Sequence, residues 1–132
     1  MPHEDLRQYL KVLEKLGKLK IIHKEVDKDW EISAVSRVAF RSIPERQRPA
    51  LMFENVKGYT IPVVLGVLGA SREIYAAALE TEQAQIPERW RKAQKEPLAP
   101  VLVKEAPCQE NVLMGEKANV LDFPVPVWDL TF

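Results

Sequence analysis

The stretch Pro49–Ala70, PALMFENVKGYTIPVVLGVLGA, constrains the fold of this chain more than any other. Ala50-Leu51-Met52-Phe53 is apolar on both faces, which predicts a buried strand rather than one with a wet side. Lys57-Gly58 offers a turn, because glycine reaches the positive φ that tight reversals need. A second apolar run, Ile61 to Leu68, can then pair back on the first. Gly66 and Gly69 close that run, and Ser71 is placed to cap a helix. One strand–turn–strand–helix unit therefore supplies most of the apolar mass for a core.

The flanking segments read as alternating helix and strand. Leu6, Tyr9, Leu10, Leu13 and Leu16 share a helical face, with Glu4 and Asp5 in the first turn, Lys15 in the last and Gly17 just beyond it. Leu19 to Val26 reads as a strand, with Leu19, Ile21 and His23 on one face and Ile22 on the other. Asp27 or Asp29 can cap a second helix, Trp30 to Ser42, striped by Ile32, Val35 and Ala39. Ile43 to Arg48 is a polar loop. Ile74, Tyr75, Ala78 and Leu79 form a third helical face, and Pro87 opens a fourth helix to about Lys95 whose only apolar face is Trp90 and Ala93. Val101-Leu102-Val103 and Val112-Leu113-Met114 are predicted as short strands on either side of the Ala106-Pro107 break. The expected class is α/β: a small mixed sheet flanked by about four helices, with residues 1–118 as the domain and 119–132 as an extended Pro-rich arm. That arm, NVLDFPVPVWDLTF, cannot join a regular ladder because each proline lacks a donor. Val125, Val127, Trp128, Leu130 and Phe132 each gain up to roughly 2 kcal/mol on burial. The arm is expected to mediate association, reaching toward a further domain or chain, with folding back on its own domain as the alternative.

Composition excludes several function classes. The 132 residues suffice for one domain with a real core. The 19 Lys and Arg balance 19 Asp and Glu, which favours neither nucleic acid nor an anionic membrane as partner. The longest apolar run, Ile61–Ala70, falls short of the roughly 20 residues that span a bilayer. The opening MPHEDLRQYL lacks the apolar region of a secretory signal, and a lone cysteine, Cys108, forms no internal disulfide, so a cytoplasmic location is expected.

Few residues carry visible chemistry. His3 and His23 are the only histidines, and neither stands at metal-ligand spacing from Cys108 or from the other. Cys108, without a positioned base, reads as small buried packing rather than a nucleophile. Gly66-x-x-Gly69 leads to Ser71-Arg72 at a helix start, where anions are attracted. It lacks a Walker or G-x-G-x-x-G pattern and reads as a tight connection. The basic groups Arg37, Arg41, Arg46, Arg48 and Arg89, Arg91, Lys92, Lys95 are diluted by glutamates and read as solvated faces. Glu54-Asn55 either satisfies loop backbone or presents a carboxylate at the mouth of a site.

Taken together, ordered blocks along the chain resemble the N-terminal region of the UbiD-like (de)carboxylases. These are Asp5-Leu6-Arg7 with Leu10, Glu25-Val26-Asp27, Pro49 to Gly58 with Phe53-Glu54-Asn55, and Pro62-Val63. Gly69 with Ser71-Arg72-Glu73, Ala106-Pro107-Cys108-Gln109-Glu110, and Leu121, Pro124, Pro126 and Trp128 complete the set. The resemblance implies reversible, non-oxidative decarboxylation of aromatic or α,β-unsaturated acids with prenylated flavin mononucleotide (prFMN), manganese and potassium. It implies a homo-oligomeric enzyme. The family's metal ligands and its catalytic Glu–Arg–Glu set lie downstream of the P-x-P-x-W block. This sequence stops four residues after Trp128 and reads Asp129 where histidine commonly follows. No catalytic, cofactor-binding or metal-binding residue is therefore assigned to it. The expectation is an N-terminal domain, as part of a longer chain or a separately encoded subunit, inactive without a flavin-binding partner. A stand-alone interaction module that kept the fold is the alternative.

Overall fold

In the computed structural model, which describes residues 3–128, a three-stranded sheet carries helices on both faces. Helix α1 (Leu6–Lys15) starts where the Asp5 side chain accepts the Gln8 amide, so Asp5 is the cap itself rather than a first-turn residue. Gly17, at φ +66°, ends it. Strand β1 (Leu19–Ile22) follows, then α2 (Glu31–Ser42), β2 (Ala50–Phe53), β3 (Val63–Leu65), α3 (Arg72–Ala78) and α4 (Ile86–Lys95). The sheet order is β1-β2-β3. β1 and β2 run parallel, pairing Leu19 with Ala50 and Ile22 with Phe53, while β3 returns antiparallel, pairing Val64 with Met52. The sheet is mixed, and the predicted class stands.

Because side chains alternate across a strand, β2 feeds two apolar clusters. Ala50 faces Tyr9, Leu13, Ala70 and Ile74, the contribution of α1 and α3. Leu51 and Phe53 face Val26, Ile32 and Val56, with Phe40 and Leu65 half-buried alongside. A central strand covered on both faces explains why its sequence shows no polar alternation. Tyr9 ties the first cluster together: its hydroxyl lies 2.9 Å from the Val67 carbonyl and 2.8 Å from that of Ile74. Burial pushes its phenol up to about 12.

Several boundaries differ from the sequence reading. β1 ends at Ile22, and Val26 keeps only an isolated bridge to Val56. Neither Asp27 nor Asp29 caps α2. The Asp27 carboxylate accepts the Asp29 amide, and Trp30 stands before the helix at φ 75°, ψ −50°. Its neighbours close a three-residue turn, Glu31 N–H to Asp29 C=O at 3.0 Å. Val35 is exposed, and α2 instead buries Ile32, Ser33 and Ser36. Ser36 is tolerated inside because its hydroxyl donates to the Ile32 carbonyl. β3 holds three residues rather than the whole Ile61–Leu68 run. Ser71 caps α3 as expected, accepting the Ile74 amide, and α4 lies on the surface. Val101–Val103 and Val112–Met114 form no strands.

The arm folds back on its own domain as far as Trp128. Val127 donates to the Lys28 carbonyl and accepts from the Trp30 amide, both at 3.1 Å. The Arg37 guanidinium stands over the Trp128 ring at 5.2 Å, and Pro124 is buried. Leu130 and Phe132 lie outside the described residues.

Candidate functional site

The register that builds the sheet also opens a groove. Ile21, Met52 and Val64 lie in one row across the three strands, on the face that α1 covers only at its Ala50 end. Leu6 and Leu10 of α1 and Ile61 close the sides, leaving a cleft of about 610 Å³. That volume is in the range of small-molecule sites, and the lining is mainly apolar. Arg7, Lys11 and Glu14 of α1 and Glu54 after β2 supply its polar rim.

Glu54 thus stands at the mouth of a cleft, and it has a partner that the sequence did not announce. His23 Nδ1 lies 2.7 Å from its carboxylate. The parallel register places the residue after Ile22 beside the residue after Phe53. Nothing in the spacing of His23 and Glu54 reveals this, since the 30 intervening residues form α2, β2 and their connections. Both side chains are exposed, so water competes with the pair and its net energy is small.

The glycine turn is structural. Gly66 sits at φ +76°, and a Cβ there would approach Phe40 Cζ to 2.7 Å. The start of α3 is already occupied by carboxylate: Glu45 Oε1 accepts the Arg72 amide. Lys18 pairs with Glu73 at 2.7 Å and donates to the Arg46 carbonyl. The positive end of the helix dipole is thereby compensated from within the chain.

Other candidates disperse. The His3 ring lies tilted against that of Tyr9, centroids 4.9 Å apart, and reaches the Ala77 carbonyl. Glu25, Asp27, Asp29 and Glu31 form an open acidic patch with Lys57. Lys28, hydrogen-bonded to Asp29, has its ammonium pKa held up by that carboxylate. Cys108 is exposed, a correction to the buried reading, because it lies in a single-turn helix outside both apolar clusters. Among the described residues no three His, Cys, Asp or Glu side chains converge as a metal site requires. Among the same residues no helix is long and apolar enough to cross a membrane.

Comparison with known proteins places this architecture. Residues 10–94 match the model of the 3-octaprenyl-4-hydroxybenzoate carboxy-lyase N-terminal domain. The phenolic acid decarboxylase of Sedimentibacter hydroxybenzoicus is 36% identical, over 84% of this chain and 24% of that protein. An evolved dimeric form of the UbiD-class enzyme HmfF from Pelotomaculum thermopropionicum, in complex with prFMN, superposes with a TM-score of 0.76. It is 37% identical and covers 92% of this chain and 27% of its own. The apo 3,4-dihydroxybenzoic acid decarboxylase of Enterobacter cloacae gives 0.78 at 31% identity, covering 96% of this chain and 28% of that one. The chain belongs to the UbiD carboxy-lyase family and corresponds to its N-terminal domain. It spans about a quarter of the length of these relatives.

Proposed function

We propose that the chain serves as the N-terminal domain of a prFMN-dependent, non-oxidative decarboxylase of aromatic or α,β-unsaturated carboxylic acids. In this reading it is inactive by itself, within either a longer chain or a complex of separate subunits. The observation that carries it is the family match through residues 10–94, with superposition on UbiD-class decarboxylases over nearly the whole chain. Decarboxylation at an sp² carbon leaves charge that a cofactor must accept, and the flavin supplies that chemistry when bound. Among the described residues no three His, Cys, Asp or Glu side chains converge, which supports assigning the flavin and its metals to a flavin-binding partner. In this reading residues 1–118 belong to the α/β domain, and the arm from residue 119, docked on that domain at Val127, links it to the partner. The assembled enzyme is a cytoplasmic homo-oligomer in this reading.

The test combines the chain with reduced prFMN, manganese and potassium without oxygen, with and without the downstream part of a relative. Alone, the chain is expected to lose the flavin on desalting and to turn over no aromatic or acrylic acid. With the downstream part, flavin retention and turnover are expected. Stoichiometric flavin held by the 132 residues alone overturns the reading. So does an assembled complex that retains flavin yet decarboxylates none of these acids, the outcome expected of a stand-alone interaction module.

A further inference from the structure

Between the end of α4 and the arm runs a strap, residues 97–120, that leaves the domain bare. Leu98 is 94% exposed and Leu102 97%, and Val101, Val103, Val112, Leu113 and Met114 are exposed with them. Two runs of strand-forming composition, Val101-Leu102-Val103 and Val112-Leu113-Met114, are separated by a single-turn helix at Pro107–Gln109. Among the described residues, Val101, Leu102, Val103, Val112 and Leu113 make no backbone hydrogen bond. Unpaired amides beside exposed β-branched side chains are the two halves of what a sheet edge satisfies. A flat apolar surface would cover the side chains and leave the amides dry and unpaired.

We infer that this strap docks by strand addition onto a free sheet edge of the flavin-binding part of the enzyme. The inference rests on the decarboxylase reading for the identity of the partner. Three observations choose that partner over a second copy. The N-terminal-domain match stops at residue 94, just before the strap begins. The superposition on the Enterobacter cloacae decarboxylase nevertheless covers 96% of this chain and 28% of that one, so most of the strap falls within the part matched to a chain roughly 3.4 times as long (0.96/0.28). Both ends are tied down: Trp90 Nε1 donates to the Tyr75 hydroxyl at 2.8 Å, and the Tyr59 hydroxyl donates to the Leu121 carbonyl at 2.9 Å. A tethered strap loses less freedom on pairing than a free tail. Pro100 and Pro107 limit the first added strand to residues 101–106.

Amide hydrogen exchange tests this on two proteins: the chain alone, and a chimera in which it replaces the segment it matches in the Sedimentibacter decarboxylase. The amides of residues 101–103 and 112–114 are expected to exchange about 100-fold more slowly in the chimera. The double variant Leu102→Asp/Leu113→Asp is expected to abolish that protection while leaving the melting of the isolated chain unchanged. Equal, fast exchange in both proteins overturns the inference. Protection in the isolated chain that grows with its concentration also overturns it, assigning the strap to a second copy. Should the chimera not fold, the chain and the relative's remaining part are co-expressed as separate polypeptides. Co-purification lost in the double variant supports the inference, and absence of co-purification by the unaltered chain overturns it. A protected strap in a chimera without turnover sinks the decarboxylase reading and leaves the docking intact.

Discussion

Phe53 has no exposed surface and fills the space between α2 and the sheet, whereas Leu102 is 97% exposed. The same chemical truncation should therefore have opposite consequences. Phe53→Ala is expected to cost about 3–5 kcal/mol, enough to leave a single domain marginal, while Leu102→Ala stays within about 0.5 kcal/mol. Urea unfolding of the two variants checks both values. Tyr9 makes a pH-dependent prediction. Its folded pKa of about 12 exceeds the ordinary 10.0, so the unfolded chain releases the phenolic proton first. Stability is then fully present below pH 10 and falls as pH rises toward 12. Tyr9→Phe should remove that part of the alkaline loss, although it starts less stable at neutral pH because the one hydroxyl proton within reach of the Val67 and Ile74 carbonyls is lost. A pH series of melting temperatures in which both proteins decline in parallel above pH 10 would contradict the assignment.

At the scale of elements, two joints hold the fold in shape. Gly66 connects β3 to the turn before α3 at positive φ while Phe40 passes close by. Gly66→Ala is expected to destabilise by at least about 1–2 kcal/mol from the left-handed backbone alone. Phe40 must also move. Thermal melting of this variant, compared with Gly69→Ala at a position where a Cβ meets nothing within 4 Å, isolates the effect. The second joint is the arm against the start of α2. Val127 pairs with Lys28 and Trp30, and Trp30 is held in a strained three-residue turn. Cutting the chain after Leu121 removes that clamp, so the melting temperature should fall. An unchanged melting temperature with reduced self-association would instead show that the arm serves contact between molecules.

For the whole molecule, the division between covered and bare surface follows the chain. Residues up to α3 pack around one sheet, and the segment from residue 97 to 120 contributes almost nothing to that core. Such a distribution leaves the apolar side chains of the strap at the surface, where a docking partner would cover them. In the flavin-binding assembly proposed above, turnover should depend on the strap while the domain's own melting does not. Kinetics of the Leu102→Asp/Leu113→Asp chimera beside calorimetry of the same substitutions in the isolated chain make that comparison.

Helix α1, the buried strand β2, the Ser71 cap and the surface helix α4 were legible in the sequence. Each depends on local pattern: apolar periodicity, a side chain that accepts an amide, a proline in the first turn. Family membership was legible for a related reason, since ordered blocks of residues survive in the one-dimensional record. What only the tertiary structure decided was pairing. His23 meets Glu54 because β1 and β2 run parallel in one particular register. Val101–Val103 and Val112–Met114 have strand composition and yet no sheet, because a strand exists only with a neighbour to bond. Trp30 takes a strained conformation that no local rule favours, because Glu31, Asp29 and the distant Val127 bond its turn from both sides. Local preference was written along the chain, and partnership across it was settled by long-range contacts.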